Sequence, residues 1–374
     1  MRVRGAVLRE MGVPAPYAES RPLEVADLEL APPGPGELLV RVHAAGLCHS
    51  DLSVIDGSRP RVMPMVLGHE AAGEVVETGP GAEGFEPGDH VVMAFVPACG
   101  LCEPCRAGRP ALCDPGAAAN TAGSLLSGER RWQPDADGEL HHHLGVSAFA
   151  DHVVVSAKSA VKVDESLPFE IAALFGCAVL TGVGAAVNSA QIRMGESVAV
   201  FGLGGVGLAA LLGARASGAT TIVAIDRVPA KLELARELGA TEAVPAGEEA
   251  VEAVRAATGG GAEKVIETVG NANVLAEAYT ATRRGGTTVT VGLPHPSQTL
   301  EIPAVGLVAE ERTLRGSYLG SSIPSVDIPR YIDLYLSGYL PVDRLLTHRI
   351  ALDEVNEGFD RLASGEAVRQ AIVF

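Results

Sequence analysis

The stretch VAVFGLGGVGLAALLGARASG (residues 198–218) decides the fold of the central part of this chain. A short apolar run rich in Val reads as a buried strand, the glycines as a turn, and the Ala/Leu run as a helix. Within the turn, Gly202 permits the tight reversal, Gly204 the close approach of backbone to a pyrophosphate, and Gly207 close packing of helix on sheet. Gly205 and Val206 open the helix, whose free N–H groups receive phosphate. Glycine-rich turns alone are weak signals, but here the next strand, TTIVAID, ends in Asp226. A carboxylate at that point accepts bonds from the adenosine ribose hydroxyls and repels a 2′-phosphate, which predicts NAD over NADP. Arg227 beside it partly offsets the carboxylate, and Lys231, one helical turn on, is within reach of the same ribose.

Outward from this motif the alternation continues. PAKLELARELG is a helix stopped by Gly239, followed by a short strand near Glu242–Val244 and a helix over Glu248–Thr258. A strand at Lys264–Val269, a helix at Val274–Thr282, a strand at Thr287–Gly292 and an extended run at Thr313–Tyr318 complete six strands with helical crossovers. That pattern predicts a doubly wound parallel sheet over residues 180–321. Residues 1–179 differ, with short Val-rich runs punctuated by Gly, Pro and Asp that read as twisted strands and turns. Residues 322–374 return to mixed texture: helices at Ile328–Ser337 and Leu352–Ser364, strands at Leu346–Ile350 and Arg369–Val373. The fold class is therefore α/β, a mostly β domain made from both chain ends with a nucleotide-binding domain inserted.

Charge and composition narrow the function. With 29 Lys and Arg against 46 Asp and Glu among 374 residues, the net charge is −17. Such a surface repels phosphate backbones and anionic lipids, so nucleic acid and membrane partners are not expected. No apolar run reaches membrane-spanning length, and the opening MRVRGAVLRE alternates like a strand, which predicts a cytoplasmic protein.

Of six cysteines, four crowd into Cys99, Cys102, Cys105 and Cys113. Four thiolates at this spacing suit a closed tetrahedral zinc site that staples a loop too poor in apolar residues to order itself. The other two, Cys48 and Cys177, are dispersed, as is His69 beside Glu70. A set of two Cys and one His leaves a coordination position open, the arrangement of catalytic zinc, although spacing alone does not select these three over buried core thiols. Glu70 in its apolar setting needs a charged or hydrogen-bonded partner, and Asp51 is placed to bond the ring of His69 and fix its tautomer.

Taken together, GLCHSD, GHEAAGEV, GDHVV, the CGLCEPC run ending at Cys113, GCAVLTG, VFGLGGVG, VAIDR and the closing GEAVRQAIVF resemble the zinc-containing medium-chain alcohol dehydrogenase family, the liver-type branch in particular, over essentially the whole chain. The resemblance implies a GroES-like catalytic domain, a Rossmann domain, and two zinc ions per chain. Cys48, His69 and Cys177 would hold the catalytic one, with Glu70 behind it. Ser50 would contact the substrate oxygen, and Thr181, Val206, Val269 and Leu293 the cofactor. His49 and Arg369 would be cations near the pyrophosphate, while Phe95 and Leu293 would line the substrate channel. The implied chemistry is hydride transfer between NAD and an alcohol or aldehyde, with zinc as Lewis acid.

Two departures bear on substrate and proton release. The position five beyond Cys48, where relatives carry a proton-relay His, is Ser53. The run Asp114-Pro115-Gly116-Ala117-Ala118-Ala119 after the last structural Cys lacks the basic residue of enzymes that oxidise the formaldehyde–glutathione adduct. A plain primary, allylic or aromatic alcohol is therefore expected. A nicotinoprotein that never releases its NAD, a formaldehyde dismutase and a polyol dehydrogenase are the alternatives. The segment 123–144, with Trp132 and the adjacent His141, His142 and His143, reads as an ordered loop over the channel entrance and not as a further metal site, because neighbouring His side chains diverge. The run Thr299–Tyr318 resembles the family segment that extends the sheet across a two-fold axis, which predicts a homodimer.

Overall fold

The computed structural model describes all 374 residues and divides into two compact units. One comprises Ala178–Ser322 and Arg330–Leu345, the other Met1–Cys177, Ile323–Pro329 and Leu346–Phe374.

The first of these is built on six parallel strands: Ser197–Phe201, Thr221–Asp226, Glu242–Pro245, Ala262–Glu267, Thr282–Thr290 and Thr313–Gly316. Counted along the chain, their order in space is third, second, first, fourth, fifth, sixth. Helices Gly205–Ala216, Pro229–Leu238, Ala250–Thr258 and Ala272–Ala281 provide crossovers. Parallel strands covered on both faces must be apolar throughout, and Val198, Ala199, Val200 and Phe201 are all buried. Gly239 stops its helix in the left-handed conformation, at φ 112°. The fifth strand starts at Thr282, five residues earlier than its Val-rich end suggests. It pairs first with Ala262 and then jumps register past Gly285 and Gly286, because a glycine pair erases the alternation from which a strand is read.

The second unit carries two sheets. Its four-stranded sheet runs, in space, Leu23–Glu29, Arg2–Leu8, Met65–Val66 and His141–His142. The larger sheet runs Leu346–Ile350, Arg369–Val373, Glu37–Gly46, Ala71–Thr78, His90–Met93 and Ala160–Lys162, with His152–Ser156 also paired to Glu37–Gly46. The closing strand lies antiparallel to Ala44–Gly46, and the Gly46 N–H donates to the carbonyl of Glu70 at 2.9 Å. Residues from near the beginning and the very end of the chain thereby meet at one end of the sheet. The helix expected at Ile328 begins at Pro324, whose missing N–H costs nothing in a first turn, while the Asp327 carboxylate accepts the Ile323 N–H at 2.8 Å. No single helix is long and apolar enough to cross a membrane.

Candidate active site and metal centres

Cys48 precedes the short helix His49–Ile55, and its N–H donates to Asp51 Oδ2 at 3.2 Å. His69 follows Gly68, which sits at φ +92° with the Phe149 backbone where a Cβ would go, so the approach to His69 demands glycine. Cys177 ends the turn Ala173–Gly176. These turns bring the ligand atoms of Cys48, His69, Glu70 and Cys177 to within 4.8 Å of one another, all four residues buried.

The donor set fits zinc. His69 Nδ1 bonds Asp51 Oδ1 at 3.0 Å, which leaves Nε2 as the free lone pair, and that nitrogen is buried without a protein partner. Burial opposes charge on the ring, yet Asp51 and the Cys48 sulfur lift His69 to about 10. The Cys48 thiol is held well below its ordinary range, first by Cys177 and against burial. The two shifts have one origin, since thiolate at Cys48 and positive charge on the neighbouring His69 ring favour each other, and the thiolate is the form that ligates a metal. Phe95, 8% exposed, stands edge-on to the His69 ring with centroids 5.4 Å apart. Ser50 is half-buried in the first helical turn, and His49 beside it is exposed.

Glu70 is fully buried and its partner is Arg369, itself only 4% exposed. Gly46 is obligatory here, since a Cβ would overlap the Glu70 carboxylate. No local signal in the sequence names Arg369 as the partner of Glu70, because the pair joins opposite ends of the chain.

In the second centre the ligand atoms of Cys99, Cys102, Cys105 and Cys113 also lie within 4.8 Å. Cys102 and Cys113 sulfurs are 3.9 Å apart, far beyond a disulfide and close to the roughly 3.8 Å edge of a tetrahedron with zinc–sulfur bonds of about 2.3 Å. The N–H groups of Leu101 and Cys102 bring the Cys99 thiol down to about 6, whereas burial pushes Cys105 up to about 12. Thiols crowded this way oppose one another's ionisation, which a shared dication relieves. Leu101 and Leu112 of this loop are exposed, so metal and not core must order it.

In the parallel-sheet unit, Gly202 (φ +89°) makes the turn after the first strand, where strand order reverses. A Cβ on Gly207 would lie 1.8 Å from the Gly202 carbonyl oxygen, whereas the space beside Gly204 is open. Gly205 and Val206 begin the helix, packed against Gly182 one residue beyond the buried Thr181. Asp226 accepts the Leu203 N–H at 2.7 Å and the Val228 N–H at 2.9 Å, which fixes its carboxylate beside the turn. Arg227 is exposed. Burial draws the half-buried Lys231 ammonium below its ordinary value, with Asp226 opposing. Val269 and Leu293, each about half exposed, follow the fourth and fifth strands, and Val269 flanks Gly202. Buried Glu267 shapes that rim by accepting the N–H groups of Val269 and Gly270.

The segment 123–144 is ordered by the four-stranded sheet, with Trp132 2% exposed and His141–His142 paired to Met65–Val66. Its three His diverge. His141 Nδ1 meets the Pro64 carbonyl at 3.0 Å, His142 Nε2 accepts the Arg131 N–H at 3.0 Å, and His143 Nδ1 lies 3.1 Å from Asp51 Oδ1. The last contact carries no signal in the sequence.

Comparisons with known proteins agree with this geometry. Residues 34–165 match the alcohol dehydrogenase GroES-like domain, and residues 205–337 match the zinc-binding dehydrogenase model. An NDMA-dependent alcohol dehydrogenase of Amycolatopsis methanolica is 38% identical over 100% of this chain and 99% of its own. An S-(hydroxymethyl)glutathione dehydrogenase of Escherichia coli is 36% identical over 95% and 97%. The crystal structure of benzyl alcohol dehydrogenase from Acinetobacter calcoaceticus superposes with a TM-score of 0.93 at 31% identity, covering 100% of this chain and 99% of that one. The chain belongs to the zinc-binding medium-chain dehydrogenase/reductase family, as an enzyme that moves hydride between NAD and an alcohol or aldehyde.

Proposed function

We propose that the substrate is a primary, allylic or aromatic alcohol, or the matching aldehyde, and that Cys48, His69 and Cys177 hold the catalytic zinc in a cytoplasmic homodimer. The orphaned Nε2 of buried His69, facing two thiols, carries the ligand assignment. When bound, zinc supplies Lewis acidity toward the substrate oxygen and NAD accepts the hydride. Ser50 accepts a hydrogen bond from the substrate hydroxyl and passes a proton on to water as it receives the substrate's, so it relays the proton without keeping it. Asp51 holds the His69 ring in the tautomer that exposes Nε2, and Phe95 offers an apolar edge to the substrate. Thr181, Val206, Val269 and Leu293 contact the cofactor, Asp226 and Lys231 its ribose, and exposed His49 supplies positive charge toward the pyrophosphate, whereas the charge of Arg369 is taken up by Glu70.

The glutathione adduct is a poor candidate, because the helix Asp114–Ala122 presents Asp114, Ala117 and Ala118 to solvent and no cation. Exposed Val305, Leu307 and Val308 support the dimer, since burial in a two-fold interface would remove them from water. The NDMA-dependent relative favours a second reading in which NAD stays bound through the cycle. A screen of purified enzyme over alcohols and aldehydes, following NADH absorbance with and without an external hydride acceptor, tests both. Turnover by added NAD alone supports the first, and stoichiometric NAD released only on denaturation supports the second. Light scattering at 38.5 kDa would reject the dimer.

A further inference from the structure

Glu267 ends the fourth strand of the parallel-sheet unit, is 1% exposed, and binds two neighbouring loops at once. Oε1 accepts the Val269 N–H at 2.6 Å and the Gly270 N–H at 2.7 Å, and Oε2 accepts the Thr290 hydroxyl at 2.7 Å. Its backbone carbonyl takes the N–H groups of Val291 at 2.8 Å and Gly292 at 3.3 Å. The two loops also touch directly: a Cβ on Gly292 would lie 2.1 Å from the Gly270 nitrogen, and one on Gly270 2.8 Å from the Leu293 carbonyl oxygen. Thr268 extends this web to the glycine turn, its hydroxyl donating to the Gly202 carbonyl at 3.0 Å.

From this arrangement we propose that Glu267 is a positioning residue for the nicotinamide half of the cofactor: by tying residues 268–270 to residues 290–293, it holds Val269 and Leu293 in one fixed wall. Three considerations carry this. Strand order reverses between the first strand and the fourth, which divides the sheet into two mononucleotide-binding halves. Asp226 ends a strand of the first half and takes the adenosine ribose, so the ends of the fourth and fifth strands face the other mononucleotide. Val269 and Leu293 are about half exposed, so packing does not fix them and bonds to the backbone beside them must. A buried carboxylate is stable only when donors engage its oxygens, and here those donors belong to the two loops themselves.

This inference rests on the contact of Val269 and Leu293 with the cofactor, and the experiment keeps the two apart. Enzyme freed of co-purified nucleotide with charcoal is titrated with NADH, read by its fluorescence, and with AMP, which reaches only the Asp226 half. The wild type is compared with Glu267→Met, Glu267→Gln and Thr290→Val. Glu267→Met should weaken NADH binding about tenfold or more, as loss of a hydrogen bond to a charged group does, and AMP binding less than about twofold. In Glu267→Gln the amide oxygen keeps Val269 and Gly270 while its NH2 donates to the Thr290 hydroxyl, which accepts as well as donates, so NADH binding should stay within about twofold of wild type. Thr290→Val cuts one strut and should weaken NADH binding about three- to tenfold. Hydrogen exchange in the nucleotide-free protein should quicken over residues 268–271 and 290–293 in Thr290→Val and stay unchanged around Asp226, a readout that stands even if Glu267→Met does not fold. Equal losses for NADH and AMP, or unchanged NADH binding and exchange in Thr290→Val, would overturn the inference. Undiminished NADH binding in Val269→Ala and Leu293→Ala would instead refute the cofactor contact itself.

Discussion

Replacing Arg369 by Met probes the most charged contact buried in the catalytic unit. Arg369 is 4% exposed and Glu70 fully buried, and neither oxygen of Glu70 accepts a hydrogen bond from another group. A dication held by two thiolates and a neutral imidazole is itself neutral overall, so the Glu70 charge is left to Arg369 even in the zinc-loaded enzyme. Breaking a buried pair from one side costs about 3–5 kcal/mol, because an uncompensated charge remains in low dielectric. With no alternative donor for Glu70, Arg369→Met and Glu70→Met should each fall in that range. The double variant removes both charges together and should cost at least about 3 kcal/mol less than the sum of the singles. Trp132 makes the measurement specific, being the only Trp in the chain, 2% exposed, and in the same compact unit. Urea unfolding followed by its fluorescence yields the cycle. Singles that add to the double within about 0.5 kcal/mol would show that the pair does not act as a unit and would refute the reasoning.

His142 makes stability depend on pH. Burial, aided by Arg130 and Arg131, lowers it to about 3 from an ordinary value of 6.5, so below pH 6.5 the unfolded chain takes a proton that the folded one refuses. Stability should fall by about 1.4 kcal/mol per pH unit from pH 6.5 toward pH 3 on this account, and His142→Gln should flatten that slope in the Trp132 signal. Cys177→Ala should reduce two zinc ions per chain to one and abolish alcohol turnover while leaving thermal unfolding nearly intact; two zinc ions with normal turnover would reject the ligand set. The Ser53 hydroxyl donates to the His49 carbonyl at 2.8 Å, so Ser53→Ala should change alcohol oxidation less than about threefold, Ser53→His should accelerate it at pH 6–7, and Ser50→Ala should slow it about a hundredfold or more. Kinetics with deuterated alcohol would separate hydride transfer from product release in these three, and a large loss in Ser53→Ala would contradict the assignment.

What the sequence reveals of this molecule follows from how local each determinant is. The turn at Gly202 is legible because strand, glycines, helix and Asp226 lie within one stretch, and each glycine answers a steric demand that a Cβ would violate. The four clustered thiols are legible for the same reason, since residues close in the chain need little folding to reach one metal. Cys48, His69 and Cys177 are separated by whole strands, so periodicity cannot join them, and only the resemblance of their flanking motifs did. The Arg369–Glu70 pair and the His143–Asp51 contact belong to a further class. Each depends on which strand lies beside which: Arg369–Val373 against Ala44–Gly46, and His141–His142 against Met65–Val66. A buried Glu announces that some partner exists, but its chemistry does not say where. Three adjacent histidines announce still less, because backbone direction sends one to a carbonyl, one to an N–H and one to a carboxylate. The ligands of this site are thus written in short motifs, whereas the charged and polar groups brought beside them from distant strands are written in strand register, which only the assembled sheets express.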